Sequence, residues 1–320
     1  MATTEALPAS SEFVVLSGGS YVMLHIGLGP SQLQEMSGSP LIVRGSDRYE
    51  LSDDIWIERL DEETAKHVQT ACEPSHYKID SVGHDRHLYA FVMRVSEHQQ
   101  IRFDGLDMLH AVVSLSRLVR PTSIGDRYCA HIIHYGLDGS AVYAIQYRGA
   151  SPDVFLSSDQ RDWLTVEDGE TLRKLMPWRA KDKLMHTRIH RAFWNHEYAM
   201  RSPYLDVRWV FAVAGLEALT NVGDKDNSKQ FRERVHQLAA HFNIALSVDE
   251  LRKAYKLRSK LVHTESFLHS LGNVLPMSEH NPLYDKLEEV LRETVRQALL
   301  DDNFGEFFRD DTSVAARWKC

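Results

Sequence analysis

Residues 251–265 read LRKAYKLRSKLVHTE, and this stretch decides how the C-terminal half of the chain is read. At about 100° per residue, Leu251, Ala254, Leu257, Leu261 and Val262 fall on one arc of a helix, and Arg258 falls in the middle of that arc. Arg252, Lys256, Ser259 and His263 line up on the other side as a basic, hydroxyl-bearing stripe. The pattern predicts an amphipathic helix over 248–263 that buries one arginine and displays several polar groups.

A buried guanidinium cannot lose its proton, so it requires a carboxylate or a phosphate as partner. Residues 209–219, WVFAVAGLEAL, are apolar on every side except at Glu217, the pattern of a buried helix with one embedded carboxylate. Two isolated charges of opposite sign predict a buried Arg258–Glu217 pair. Truncating one partner of such a pair costs roughly 3–5 kcal/mol, which is the expectation for Glu217→Ala.

The LEAL segment formed by Leu216, Glu217, Ala218 and Leu219, followed by Tyr255, Arg258, Ser259, Leu261, Val262 and His263, resembles the HEPN domains (higher eukaryotes and prokaryotes nucleotide-binding), in their bacterial ApeA-like branch. The resemblance covers roughly residues 180–300. It implies a bundle of about four to five helices, commonly dimeric. In many members the R-x(4–6)-H motif forms a metal-independent endoribonuclease site, and other members keep the bundle and only bind nucleotides or RNA. Carried onto this chain, Arg258 and His263 are the catalytic residues, with Glu217, Ser259 and Tyr255 in support and no metal or cofactor. The substrate's own 2′-hydroxyl is then the nucleophile, His263 the general acid or base, and Arg258 the stabiliser of phosphorane-like charge. Arg252, Lys256 and Lys260 are read as RNA phosphate contacts. The chain departs from the pattern at Thr264, where glycine often follows the histidine, and at Ser259, where many nucleases carry Asn, Asp or His. A toxin-type or antiviral-defence role would need restraint before a trigger, and the N-terminal domain is then the candidate for holding a ligand or regulator.

The R-x(4–6)-H spacing carries little by itself, because Arg191 with His196, Arg127 with His134, Arg179 with His186 and Arg234 with His241 share it. Context singles out Arg258 and His263. These two positions lie about 140° apart on an ideal helix. Both can face one phosphate only if the helix ends near Val262 or if two motif helices meet across a symmetric dimer. Three readings stay open at this point: a ribonuclease, a non-catalytic RNA- or nucleotide-binding module, and a dimeric interaction protein whose N-terminal domain senses a ligand. In the last, Arg258 and Glu217 are a purely structural pair and His263 a helix C-terminal residue favoured by the macrodipole.

Across the whole chain, 320 residues with 43% hydrophobic and 26% charged content suffice for two cores. The net charge of −8 gives no global field favouring nucleic acid, so any RNA contact must come from local patches such as the 252–263 stripe. Three cysteines far apart, Cys72, Cys129 and Cys320, suit a reducing compartment. The start MATTEALPASSE lacks a basic and then apolar leader, and no apolar run reaches membrane-spanning length, so a cytoplasmic protein with no membrane contact is expected.

The fold class expected is α+β: an N-terminal mixed α+β domain followed by an all-α HEPN-like helical bundle. Residues 1–12 read as a flexible tail and 13–150 as the α+β domain. Its strands are read at EFVVL, YVMLHI and 87–95, and its helices at Glu62–Ala71 and Leu106–Val119. A hairpin over 129–147 turns at Asp138-Gly139. Residues 151–180 read as a connector, punctuated by Pro152, Gly169 and Pro177. Helices are predicted over 181–200, 204–221, 227–242, 248–263 and 282–300, and a loosely docked tail over 301–320. Homodimerisation is expected through 181–300.

Other chemistry is weaker. His186 and His190 stand one helical turn apart, but no acid completes a metal set, so they read as a solvated basic face. His196 shares a stripe with Met185, Ile189, Ala192, Phe193 and Ala199, so it faces the core or a subunit interface and reads as a satisfied core histidine. Trp178, Trp194, Trp209 and Tyr255 read as core fillers.

Overall fold

Strong alternation in the N-terminal half is realised as a sheet. The computed structural model describes residues 21–28, 48–59, 88–95, 103–121, 128–135, 140–147, 164–179, 188–202, 204–223, 225–263, 274 and 277–320. The expected tail at 1–12, the EFVVL strand, the Glu62–Ala71 helix, the Asp138-Gly139 turn, His186 and Thr264 lie outside them. The strands are β1 (Tyr21–Leu28), β2 (Arg48–Glu50), β3 (Ile55–Arg59), β4 (Leu88–Val95), β5 (Tyr128–Tyr135) and β6 (Ser140–Tyr147). They pair antiparallel in the order β2-β3-β4-β1-β5-β6. The predicted hairpin is the β5–β6 pair, with Tyr128 opposite Tyr147 and Tyr135 opposite Ser140.

Helix α1 (Phe103–Val119) carries a run, AVVSLSRLV at 111–119, that is buried on all sides. One flank packs towards the sheet and the other against the C-terminal helices, so the core continues from Leu51, Ile55 and Ile57 through α1 into the bundle. The described part of the expected connector belongs to that core as well. Thr165 and Asp168 form a capping box that starts α2 (Val166–Leu175), and Leu164, Leu172, Leu175 and Met176 are buried. Of the residues that suggested a linker, Pro152 lies outside the described residues, Gly169 is buried within the packed helix, and Pro177 stands in the 3₁₀ turn (Met176–Arg179) that follows it.

The bundle comprises α3 (Arg188–Arg201), α4 (Leu205–Thr220), α5 (Asn227–His241), α6 (Val248–Val262) and α7 (Met277–Leu300). Helix α4 is central, contacting the other four, as its all-round apolar sequence requires. Trp209, Ala212, Val213, Leu216 and Leu219 are fully buried on it. Gly215 permits this approach, because a Cβ there would meet Leu291 Cδ2 on α7 at 2.7 Å. A capping box of Ser247 and Glu250 starts α6. Burial pushes the Glu250 carboxyl up, but Lys286 at 2.8 Å and Ser247 outweigh it and hold it down at about 2, which ties α6 to α7. Helix α7 begins at Met277 rather than at Pro282, which sits inside it. Among the described residues, no helix is long and apolar enough to cross a membrane.

The stretch 301–320 is not loosely docked. It forms α8 (Asp302–Gly305), a 3₁₀ turn (Glu306–Phe308) and α9 (Asp311–Arg317). Phe304, Phe308, Val314 and Trp318 are all buried. Its aspartates act as caps: Asp301 accepts from Asn303 and Phe304 N–H groups, and Asp310 from that of Ser313. Gly305 brings this segment down onto α7, where a Cβ would meet the Ala298 carbonyl oxygen at 2.8 Å.

A seam of buried charge fastens α1 to the bundle. Arg117 of α1 pairs with Glu197 of α3, each side chain 1% exposed. Beside them in the bundle, His196 Nε2 lies 2.8 Å from Glu288 Oε1, and Arg292 Nε donates to the same oxygen at 3.0 Å. Burial pushes Glu288 up, yet Arg292 and His196 together hold it below the usual carboxylate range. Arg296 adds a bond to the Val119 carbonyl at 3.3 Å.

Candidate functional site

Arg258 and Glu217 do meet. Glu217 lies in the last turn of α4 and Arg258 just before that of α6, where both helices reach the rim of the bundle, and Arg258 Nη2 is 3.1 Å from Glu217 Oε2. The rim position corrects the expectation of burial: the side chains are 27% and 15% exposed. The arc around Arg258 is also less apolar in practice, because Leu261 is only half-buried and Val262 is exposed. Tyr255, three residues before Arg258 on the same face, hydrogen-bonds Glu217. Burial pushes Glu217 up, Arg258 and Tyr255 pull it down, and the balance leaves it above its ordinary value. Tyr255 is pushed up by burial and by the Glu217 charge. Arg258 Nε is enclosed with no hydrogen-bond partner among the described residues.

Arg258 lines a cavity of about 900 Å³, within the size range of roughly 300–1,000 Å³ usual for ligand sites. Its walls carry Arg188 and Arg191 from α3, Glu217 from α4, Arg258 from α6, and Arg309 and Asp311 from the docked C-terminal segment. These arginines are not equivalent. Arg188 is committed to structure: it donates to the carbonyls of Ala218 at 2.9 Å and Asn221 at 2.7 Å, and it pairs with Asp311. Arg309 pairs with Glu306 at 2.8 Å in an exposed bridge. Arg191 is exposed and has no side-chain partner among the described residues.

His263 caps α6, its N–H donating to Ser259 O at 3.2 Å and Lys260 O at 3.3 Å. The helix therefore ends at Val262, where the sequence required it to end for Arg258 and His263 to approach one phosphate. His263 is exposed and is not among the residues lining the cavity, so one chain does not bring both motif residues onto its wall. Ser259 is half-buried and also stands off the cavity. Of the stripe read as phosphate contacts, Arg252 is already paired with Asp249 at 2.5 Å, Lys256 is exposed and Lys260 is half-buried; none of them lines the cavity.

Arg191 and His196, which share the R-x(4–6)-H spacing, separate. Arg191 opens on the cavity, while His196 lies fully buried against Glu288 on the other side of α3. His190 is likewise engaged, accepting from Trp194 Nε1 at 2.7 Å. Arg234 corrects the premise that a buried arginine requires an anion. It is almost enclosed, and it donates to three neutral oxygens: Trp318 O at 2.7 Å, Thr220 O at 2.5 Å and Gln230 Oε1 at 2.5 Å. Among the described residues, no group of three or more His, Cys, Asp or Glu side chains could hold a metal ion.

The sequence reading missed Arg188, Arg309 and Asp311, and met Arg191 only through its R-x(4–6)-H spacing to His196. The signal available for Arg188 and Arg191 was the α3 helical wheel, on which they share an arc of about 80° with Asn195 and Tyr198 opposite the core stripe. Comparison of the chain with models of protein families, with curated proteins and with solved structures finds no match.

Proposed function

We propose that the C-terminal bundle is a HEPN-like, metal-independent endoribonuclease that works as a two-fold dimer through residues 181–300. The observation that carries this reading is the end of α6 at Val262, which sets His263 at the helix terminus within two turns of an Arg258 held by Glu217, itself hydrogen-bonded by Tyr255. In the proposed step the 2′-hydroxyl attacks the adjacent phosphorus and the P–O5′ bond breaks, leaving a 2′,3′-cyclic phosphate and a 5′-hydroxyl. His263 moves the proton, and Arg258 offsets the charge that develops on the phosphoryl oxygens. The divergence of the two side chains on one helix is relieved when a second motif helix lies alongside, which is why the dimer belongs to the proposal.

A non-catalytic RNA- or nucleotide-binding module is the second reading, and it is favoured by the absence of His263 from the cavity lining. Replacement of His263 by Ala separates the two. The nuclease reading expects a loss of roughly 10²–10⁴ in cleavage rate with RNA binding and thermal stability little changed, cleavage that survives EDTA, and cyclic-phosphate ends. Wild-type protein that retards total cellular RNA and tRNA on a gel without cutting either establishes the binding module instead.

A further inference from the structure

The open face of α3 continues the cavity into an aromatic surface. Tyr198 is 52% exposed on the arc that holds Arg191 and Asn195, and Tyr204, 67% exposed, stands in the turn that follows. The Tyr198 ring is not adrift: its centroid lies 5.3 Å from that of Phe211 on α4 and 6.3 Å from that of Trp194. Two neighbours therefore fix its plane while much of the ring is left to solvent. Seven residues of helix separate it from Arg191, about 10 Å along the axis, a span that a short stretch of nucleic-acid strand can bridge.

A cation with no side-chain partner among the described residues, on the wall of a cavity of about 900 Å³ and next to a held and exposed aromatic ring, matches the way unpaired nucleic acid is bound, with phosphates on basic groups and bases stacked on rings. Bases inside a duplex are stacked on each other and offer no free face to such a ring. We infer that this site takes single-stranded RNA, with a phosphate on Arg191 and Arg258 at the cavity and a flanking base stacked on Tyr198. The inference rests on the reading of the bundle as an RNA site and adds to it the strand state of the RNA and a recognition residue outside the R-x(4–6)-H motif.

The test measures binding of a fluorescein-labelled, 2′-O-methyl-blocked single-stranded oligonucleotide by anisotropy, against a duplex of the same length. Tyr198→Ala is expected to weaken the single strand by roughly 5- to 150-fold, the worth of one stacked base, and to leave the weaker duplex binding unchanged. Tyr198→Phe keeps the ring and is expected to keep the affinity. Arg191→Ala should flatten the dependence of log affinity on log salt by about 0.7, the single-strand value for one phosphate contact. Unchanged single-strand affinity in Tyr198→Ala, together with a loss in Arg258→Ala, overturns the stacking inference and leaves the RNA site standing. Wild-type protein that binds neither probe overturns both. Tyr198→Ala that converts a dimer into a monomer by light scattering assigns this face to a second copy of the chain and overturns the inference.

Discussion

Two ion pairs on opposite sides of the bundle differ in one respect that separates scaffold from site. Arg117 and Glu197 are sealed between α1 and α3, each 1% exposed, and next to them stands the His196–Glu288–Arg292 cluster. Arg258 and Glu217 join α6 to α4 at the rim, 27% and 15% exposed, over a cavity of about 900 Å³. The sealed pair has no room for anything else and can only hold helices together. The rim pair keeps a cation partly hydrated and in reach of an incoming anion, the arrangement that binding a phosphate requires.

The largest effect expected from this contrast lies in the sealed pair. Arg117→Ala leaves Glu197 buried with Arg201 no nearer than 4.0 Å, and the expected loss is roughly 3–5 kcal/mol in urea unfolding. Replacing both partners with apolar residues, Arg117→Met with Glu197→Leu, should recover most of that loss. A single variant that loses less than about 1 kcal/mol, the scale of an exposed pair, would erase the distinction between the two regions.

The rim pair should lie between the two scales, with Glu217→Ala costing roughly 1–2 kcal/mol rather than the buried-pair figure. Titration sharpens the contrast, because the two carboxylates are displaced in opposite directions. Glu217 is raised above its ordinary 4.5, so the folded state binds its proton more tightly than the unfolded chain does. Its stabilising contribution is full below 4.5 and is lost as pH rises through the raised value. Glu288 is lowered, so its contribution is full above 4.5 and is lost as pH falls through the lowered value. Glu217→Gln should therefore remove a loss of stability on the alkaline side of 4.5, and Glu288→Gln a loss on the acid side. Chemical unfolding across pH 3–8, read as about the window where these groups titrate, checks both slopes.

Much of this contrast was legible residue by residue, and little of it was legible as geometry. The all-round apolarity of 209–219 placed α4 at the centre, and the lone charges at Glu217 and Arg258 named each other correctly. Their degree of burial was not legible, because a helical wheel gives the direction of a side chain and not how far the neighbouring helices extend past it. Arg117 offered the same kind of signal as Arg258, one cation in an apolar run, but its partner is on a helix that the sequence assigned to another domain. The C-terminal wall of the cavity was hidden by composition. The stretch 301–320 read only as a tail, whereas Asp301 and Asp310 cap short helices and Phe308 and Trp318 are buried. The cavity itself needs α3, α4, α6 and that segment together, and no single stretch of sequence contains it.

If the rim arginine serves a ligand and the sealed arginine serves the fold, substituting the rim arginine must separate activity from stability. The decisive measurement is Arg258→Ala, assayed for RNA cleavage and for urea unfolding in the same preparation. A loss of roughly 10²–10³ in cleavage rate, the worth of one group stabilising transition-state charge, with unfolding free energy within about 2 kcal/mol of wild type, is the result expected. Cleavage at the wild-type rate in a protein destabilised by roughly 3–5 kcal/mol would show that Arg258, like Arg117, holds helices and nothing more.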